Sequence, residues 1–299
     1  MNMLAQVPDT LRDAARLWKA AGGNEQPPSR WSPSLWQHQF PEHADYLSAL
    51  PQPIGRADVA VRCAAAPEGP DQATKAFITA MIWGYGTVGY GWFRTRRVLT
   101  DNDGAGEKLA TVARIARDQG GPAAFAWLAE RPHRLHGLGV AFATKYLFFC
   151  AEGGHAQPAL VLDRLVRNWM SRNLDWELSL EWDVEDYHEY VNTMSAWAEE
   201  LDLKPGDLEM LVFQLAANAD PRSLWSAPEL FASTQAETST PARNGLSDDA
   251  VALLEMLDNA ATAFASLPDP SDPDDITDFD RGVRDLKRII LSGRCLPSR

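Results

Sequence analysis

The sequence predicts a mostly α-helical protein, and three observations lead to that fold class. Apolar residues recur at helical spacing, as on the stripe of Leu109, Val112, Ile115 and Ala116 within residues 105–118. Alternation of apolar and polar residues, the signal of a half-buried strand, is almost absent. A hydrophobic content of 45% and a charged content of 23% are ordinary for a soluble globular chain.

Each expected helix has a periodicity or a start signal of its own. Helices are expected near residues 9–20 and at 71–83, 105–118, 121–130, 140–151 and 163–172. The segment 204–218 reads KPGDLEMLVFQLAAN, in which Pro-Gly-Asp is a helix start signal before an apolar run. The stretch between this segment and the helix at 163–172 is acidic and contains tryptophan, and it carries no helix prediction.

The chain divides by composition into three parts. Residues 1–232 are expected to form the main domain, with a segment at 1–56 that is rich in proline and tryptophan and irregular after its first helix. Residues 233–247 are expected to be a linker, because they begin with the polar run STQAETSTPARN. Two amphipathic patterns separated by PDPSDPDD predict a helical extension at 248–299.

Charge and cysteine content narrow the classes of partner and cofactor. The net charge is −13, but residues 71–174 carry 13 basic and 8 acidic side chains, so a local basic surface can still bind a polyanion. The three cysteines are scattered without metal-ligand spacing, so no metal site and no cofactor are expected. No secretory signal and no run of about 18 apolar residues is present, and we therefore expect a cytoplasmic protein without membrane contact.

The most informative segment is a glycine turn followed by an apolar helix. Residues 135–139 read Leu-His-Gly-Leu-Gly, in which Gly137 and Gly139 permit a tight turn and expose backbone N–H groups at the start of the next helix. That helix carries one lysine, Lys145, and Asp163 then begins another helix. Amides, an amine and a carboxylate can hold a phosphate and cleave a bond at a sugar carbon, although a plain corner between two helices also fits the glycine pattern.

Three blocks in this order resemble a known superfamily. They are WGYGTVGYGWFR at 83–94, GLGVAFATKYLFF at 137–149 and PALVLDRLV at 158–166. Together they are similar to the helix-hairpin-helix DNA glycosylases, specifically to bacterial proteins related in fold to 8-oxoguanine DNA glycosylase. The resemblance spans roughly residues 30–230 and implies a two-lobed helical fold. It also implies that double-stranded DNA is bound across a cleft and that a damaged or modified base is flipped out. We further expect the protein to be a monomer.

The resemblance assigns catalysis to Asp163 and Lys145. Asp163 would assist cleavage of the glycosidic bond, and a helix cap is the simpler alternative for the same residue. In glycosylases that form a Schiff base the lysine follows the second hairpin glycine by two residues, but here that position is Ala141 and Lys145 lies one helical turn later. Lys145 is therefore a nucleophile or a structural or phosphate-binding lysine, and in the second case water activated by Asp163 attacks the sugar.

The aromatic and glycine-rich run at 83–94 carries the remaining site predictions. Its Gly84-x-Gly86-x-x-Gly89 pattern is not a dinucleotide fingerprint, because no second strand or acidic residue follows at the required distance. We expect instead a loop whose aromatic residues contact the flipped base, with a plug in the hydrophobic core as the alternative. The expected base pocket comprises Trp83, Tyr85, Tyr90 and Trp92, and the expected DNA contacts are Gly137, Gly139, Arg94, Arg97, Arg134 and Arg164.

Two other functional classes remain open at this stage. One is a helix-hairpin-helix module that binds DNA without catalysis, and the other is a helical protein–protein adaptor that uses the acidic C-terminal region, where residues 175–299 carry 26 acidic and 9 basic side chains. Within the glycosylase hypothesis the sequence does not distinguish an oxidised purine from a hypermodified base.

Overall fold

The computed structural model describes residues 6–88, 90–154, 156–219, 223, 225–231, 257 and 286. Its α-helices, in chain order, are α1 (Asp9–Ala20), α2 (Pro33–Gln39), α3 (Ala44–Ser48), α4 (Arg56–Cys63), α5 (Pro70–Tyr85), α6 (Gly91–Thr100), α7 (Ala105–Gln119), α8 (Gly121–Ala129), α9 (Val140–Ala151), α10 (Arg164–Leu174), α11 (Val184–Glu200) and α12 (Pro205–Ala219). Among these residues the only β pairing is an isolated bridge between Ser29 and Ile54. The mostly α fold class is confirmed.

The helices predicted from periodicity are present with small changes at their ends. The structure adds three helices of eight residues or more that the sequence did not predict, namely α4, α6 and α11. It also places α2 and α3 in the segment at 1–56, so that segment is more helical than expected. Trp31 and Trp36 are buried there, which shows that tertiary burial of aromatic residues decides its conformation.

Helix α5 forms the centre of the fold. It packs against α4, α6, α7 and α9, and ten of its 16 residues are buried. A helix that is apolar on nearly all sides must be enclosed by other helices, which explains the run AFITAMIW. A second group consists of α1, α10 and α11 around α12, and α8 contacts both α7 and α11. One continuous hydrophobic core joins the two groups.

The predicted linker and C-terminal extension lie outside the described residues, apart from residues 257 and 286. In the part of the chain that the structure describes, no helix is both long enough and apolar enough to cross a bilayer. The monomeric state and the cytoplasmic location stay predictions.

Candidate active site

The predicted glycine turn lies between α8 and α9. Gly137 has φ +81°, a conformation that side-chain-bearing residues rarely adopt, whereas Gly139 is the extended residue directly before α9, with φ −84°. Both glycines are exposed. The first N–H groups of a helix have no partner within that helix, and both glycines at the start of α9 are accessible, but phosphate binding by these amides stays a prediction.

Asn102, from the connection between α6 and α7, fixes this turn. The backbone N–H of His136 donates to its side-chain oxygen at 2.7 Å, and its side-chain amide donates to the carbonyl of His136 at 3.0 Å. The same amide donates to the carbonyl of Val98 at 2.9 Å. The sequence gives no signal for this role, because Asn102 lies 34 residues before His136 in an ordinary polar turn.

Asp163 caps α10 and also contacts the lysine of α9. Its Oδ1 accepts hydrogen bonds from the N–H groups of Leu165 at 3.0 Å and Val166 at 3.1 Å. Its Oδ2 accepts from Lys145 Nζ at 3.0 Å. The cap predicted as an alternative is therefore present, and it leaves the second carboxylate oxygen available to Lys145.

The position of Lys145 depends on the direction of its side chain. Side chains of a helix lean toward its N-terminus, and Lys145 Nζ accordingly lies 3.5 Å from the carbonyl oxygen of Ala141, one turn back. Gly84 of α5 makes room, since a Cβ there would lie 2.8 Å from Lys145 Cδ. The amine thus lies at the level of Ala141, which is the position where the resembling enzymes carry their lysine.

The pair is nearly buried, and Asp163 is held in its ionised form. Lys145 is 8% exposed and Asp163 is 9% exposed. Burial acts to raise the pKa of Asp163, but the Lys145 ammonium and the amides of Val166 and Leu165 outweigh it and hold the pKa below its usual value. A residual accessible fraction remains on both side chains, 10% for Lys145 and 13% for Asp163.

The segment before Asp163 is held by side chains from α9 and α11. Tyr187 Oη donates to the carbonyl of Leu160 at 2.9 Å, and Tyr190 Oη donates to the carbonyl of Val161 at 2.8 Å. Thr144 Oγ1 accepts from the N–H of Leu162 at 3.0 Å. These bonds satisfy backbone groups of a buried, non-helical segment, and they fix the point at which Asp163 enters α10.

The loop predicted at 83–94 is wrong in its secondary structure. Trp83 and Tyr85 end α5 and Trp92 lies in the first turn of α6, so only a short connection separates the two helices. Trp83, Tyr85 and Trp92 are buried, because packing against other helices outweighs the low helix propensity of the intervening glycines. Tyr85 stacks on Phe142 with ring centroids 3.9 Å apart, beside the lysine.

Half-buried Tyr90 is the most accessible member of the expected base pocket. Arg94 lies over its ring, with the guanidinium carbon 4.5 Å from the ring centre. For Trp83 and Trp92 the structure favours the alternative of a plug in the core. Base contact by the four aromatic residues stays a prediction.

The arginines expected to contact DNA are all exposed, but they differ in their partners. Arg97 of α6 pairs at 2.8 Å with Asp101, the residue directly after that helix, and Arg134 donates to the carbonyl of Ala129 at 2.6 Å. Arg164 is the first residue of α10, directly after Asp163. Their DNA contacts stay predictions.

A second ion pair lies near the first, and no pattern noted in the sequence predicted it. Arg56 contacts Glu209 at 3.1 Å, and Glu209 is 1% exposed. A glutamate in the apolar run LEMLVF of α12 was the available signal, since a buried carboxylate in a helix requires a partner.

Comparison with known proteins agrees with the resemblance of the three sequence blocks. The family model described as "Putative 8-oxoguanine DNA glycosylase OGG-like protein" matches residues 22–213, a range that includes the glycine turn, Lys145 and Asp163. No curated protein and no solved structure matches the chain significantly. Because the family model spans more than half of the sequence, the chain belongs to this OGG-like family.

Proposed function

We propose that this protein is a DNA N-glycosylase that excises a damaged or modified base, with Lys145 as nucleophile and Asp163 as its proton acceptor. The observation that supports this proposal is the 3.0 Å contact between Lys145 Nζ and Asp163 Oδ2, on the helix that begins at the exposed glycine turn. An amine beside a carboxylate, close to a site suited to a phosphate, is the combination that attack on a deoxyribose requires.

The reaction follows from the groups that the pair presents. The proton of Lys145 passes to Asp163, and the freed lone pair forms a bond from Nζ to C1′ of the sugar. The glycosidic C1′–N bond breaks, its electrons leave with the base, and the base takes the proton that Asp163 had received. The Asp163 carboxylate, negative again, opposes the positive charge on the sugar and Nζ, which lowers the energy of the transition state. A proton then passes from Nζ through Asp163 to O4′ as the C1′–O4′ bond breaks, which opens the sugar ring and leaves a protonated imine between C1′ and Nζ.

Borohydride trapping on duplex DNA tests the nucleophile. Borohydride reduces the imine to a stable amine, so the wild-type protein should become attached to DNA that carries a substrate base or an abasic site. Lys145→Gln should give no adduct, and Lys108→Gln, a matched change on α7, should give the wild-type yield.

The outcomes separate the mechanisms. Base release without an adduct would show that the nucleophile is water activated by Asp163 and not Lys145. If the protein binds duplex DNA but releases no base from a panel of oxidised and hypermodified substrates, it is a non-catalytic DNA-binding module. No salt-sensitive binding of DNA at all would leave the protein–protein adaptor.

A further inference from the structure

The ion pair between Arg56 and Glu209 contains the most deeply buried charge of the two pairs. The side chain of Glu209 is 1% exposed and that of Arg56 is 15% exposed, and Arg56 Nε also donates to Gln26 Oε1 at 3.3 Å. Removing two charges from water is costly, and a hydrophobic pair of similar volume would often stabilise the fold equally well. A contribution to the stability of the fold is therefore not a sufficient explanation for the presence of this ion pair.

Arg56 contacts the two helices that hold Lys145. Its guanidinium lies 5.3 Å from the ring centre of Trp83 on α5 and 5.0 Å from that of Phe148 on α9. Trp83 is adjacent to Gly84, which packs against the stem of Lys145, and Phe148 follows Lys145 by less than one turn of α9. Arg56 therefore contacts α5 and α9 close to the places where these helices position Lys145.

The two pairs also interact through their charges. Burial raises the pKa of Glu209, Arg56 lowers it, Asp163 raises it again and Lys145 lowers it. From α11, Tyr190 faces both Glu209 and Asp163, and its own pKa is raised by burial and by these carboxylates. Among the described residues, the two ion pairs thus bring together two positive and two negative groups, contributed by α4, α9, the start of α10 and α12.

Other charged groups face Arg56 from the edge of this cluster. Glu152 is exposed and Asp207 is half-buried; partial burial raises the pKa of each carboxyl group, whereas Arg56 and Lys204 lower it. Glu25 raises the pKa of both. The three carboxylates Glu25, Glu152 and Asp207 add negative charge around Arg56, and they are unchanged in Glu209→Gln.

We propose that Arg56 and Glu209 are positioning residues that balance the charge around Lys145 and Asp163 and so set the pH range in which that pair reacts. The proposal rests on the function proposed above for the catalytic pair. Neither residue touches the reacting atoms, and both act through the field at the pair.

The sign of the effect follows from which charge is removed. In Glu209→Gln, Arg56 has lost its closest anion, so the field at the catalytic pair becomes more positive and the pair loses its proton at lower pH. In Arg56→Met, Glu209 loses its cation, and above its own raised pKa it is an unpaired anion near Asp163, so the pair keeps its proton to higher pH. The double variant removes both charges and should return close to the wild-type midpoint.

Two measurements on the full chain test this. The first is an NMR titration of Asp163 in protein labelled at aspartate Cγ, with the resonance assigned by its absence in Asp163→Asn. The second is the pH at which borohydride trapping is half-maximal. We expect both midpoints to move down in Glu209→Gln, up in Arg56→Met and back in the double variant. At a pH of about 6, trapping by Arg56→Met should be roughly threefold slower or more.

A purely structural role would not give opposite shifts. Shifts in the same direction, or no shift in Glu209→Gln, would overturn the proposal, and this near-isosteric variant together with the double variant keeps the test valid if Arg56→Met fails to fold. Opposite shifts of the Asp163 resonance support the proposal even when no adduct forms, and a missing adduct in the wild type then counts only against the proposed function.

Discussion

Asp163→Asn separates the charge of this side chain from its role as a helix cap. Asparagine caps a helix about as well as aspartate, so the bonds from Leu165 and Val166 to Oδ1 should persist. The neutral amide group would then lie beside Lys145 Nζ as a second donor. The variant therefore removes the ion pair and leaves α10 correctly started.

The expected cost follows from the burial of the pair. Breaking a buried ion pair by removing one partner costs roughly 3–5 kcal/mol. Because 10% of the Lys145 side chain is accessible, partial hydration reduces the loss, and we expect about 2–3 kcal/mol at neutral pH. Asp163→Ala also loses the cap and should cost about 1 kcal/mol more.

The loss should depend on pH in a defined direction. The pKa of Asp163 is lowered in the folded state, so its ionisation stabilises the fold above the usual carboxyl pKa of 3.8, and this contribution disappears as the pH falls through the lowered folded-state value. Urea unfolding of the wild type and Asp163→Asn should therefore give free energies of unfolding that differ at pH 7 and converge in acid.

Excision provides the functional readout for the same variants. We expect Asp163→Asn to reduce base release by about 10²–10⁴-fold, the usual contribution of a general acid or base, while duplex binding persists. Equal stability of wild type and Asp163→Asn at neutral pH would refute the account of the buried pair. Unchanged excision would remove Asp163 from the mechanism.

Two glycine substitutions give further predictions. Gly84→Ala would place a Cβ 2.8 Å from Lys145 Cδ, so borohydride trapping should fall about a hundredfold. The free energy of unfolding should change by only about 1–2 kcal/mol, because the gain in helix propensity offsets the cost of overpacking. Gly69→Ala, at a position with open space, is the control, and equal trapping by both variants would contradict the proposed role of Gly84. In Gly137→Ala the alanine must adopt φ +81°, at a cost of about 1–2 kcal/mol. Gly139→Ala is the control, because φ at that position is −84°. Fluorescence anisotropy should show weaker duplex binding by Gly137→Ala than by Gly139→Ala. Equal affinities would argue against the glycine turn as the phosphate site.

Local signals predicted those parts of the site that depend on near neighbours in the chain. A carboxylate before an amphipathic helix predicted the cap at Asp163, because a cap bonds to N–H groups two and three residues later. The two glycines predicted the turn, and the φ of +81° at Gly137 is one that most other residues cannot adopt. The aromatic run was misread as a loop because glycine propensity is local, whereas burial of Trp83 and Trp92 is not.

The sequence by itself determined the helical class, most helix positions, the turn at Gly137 and the cap at Asp163. The tertiary structure decided which charged groups meet: Lys145 with Asp163 over 18 residues of chain, and Arg56 with Glu209 over 153. The physical reason is that caps and turns form within a few residues, whereas contacts between helices depend on how the whole core packs.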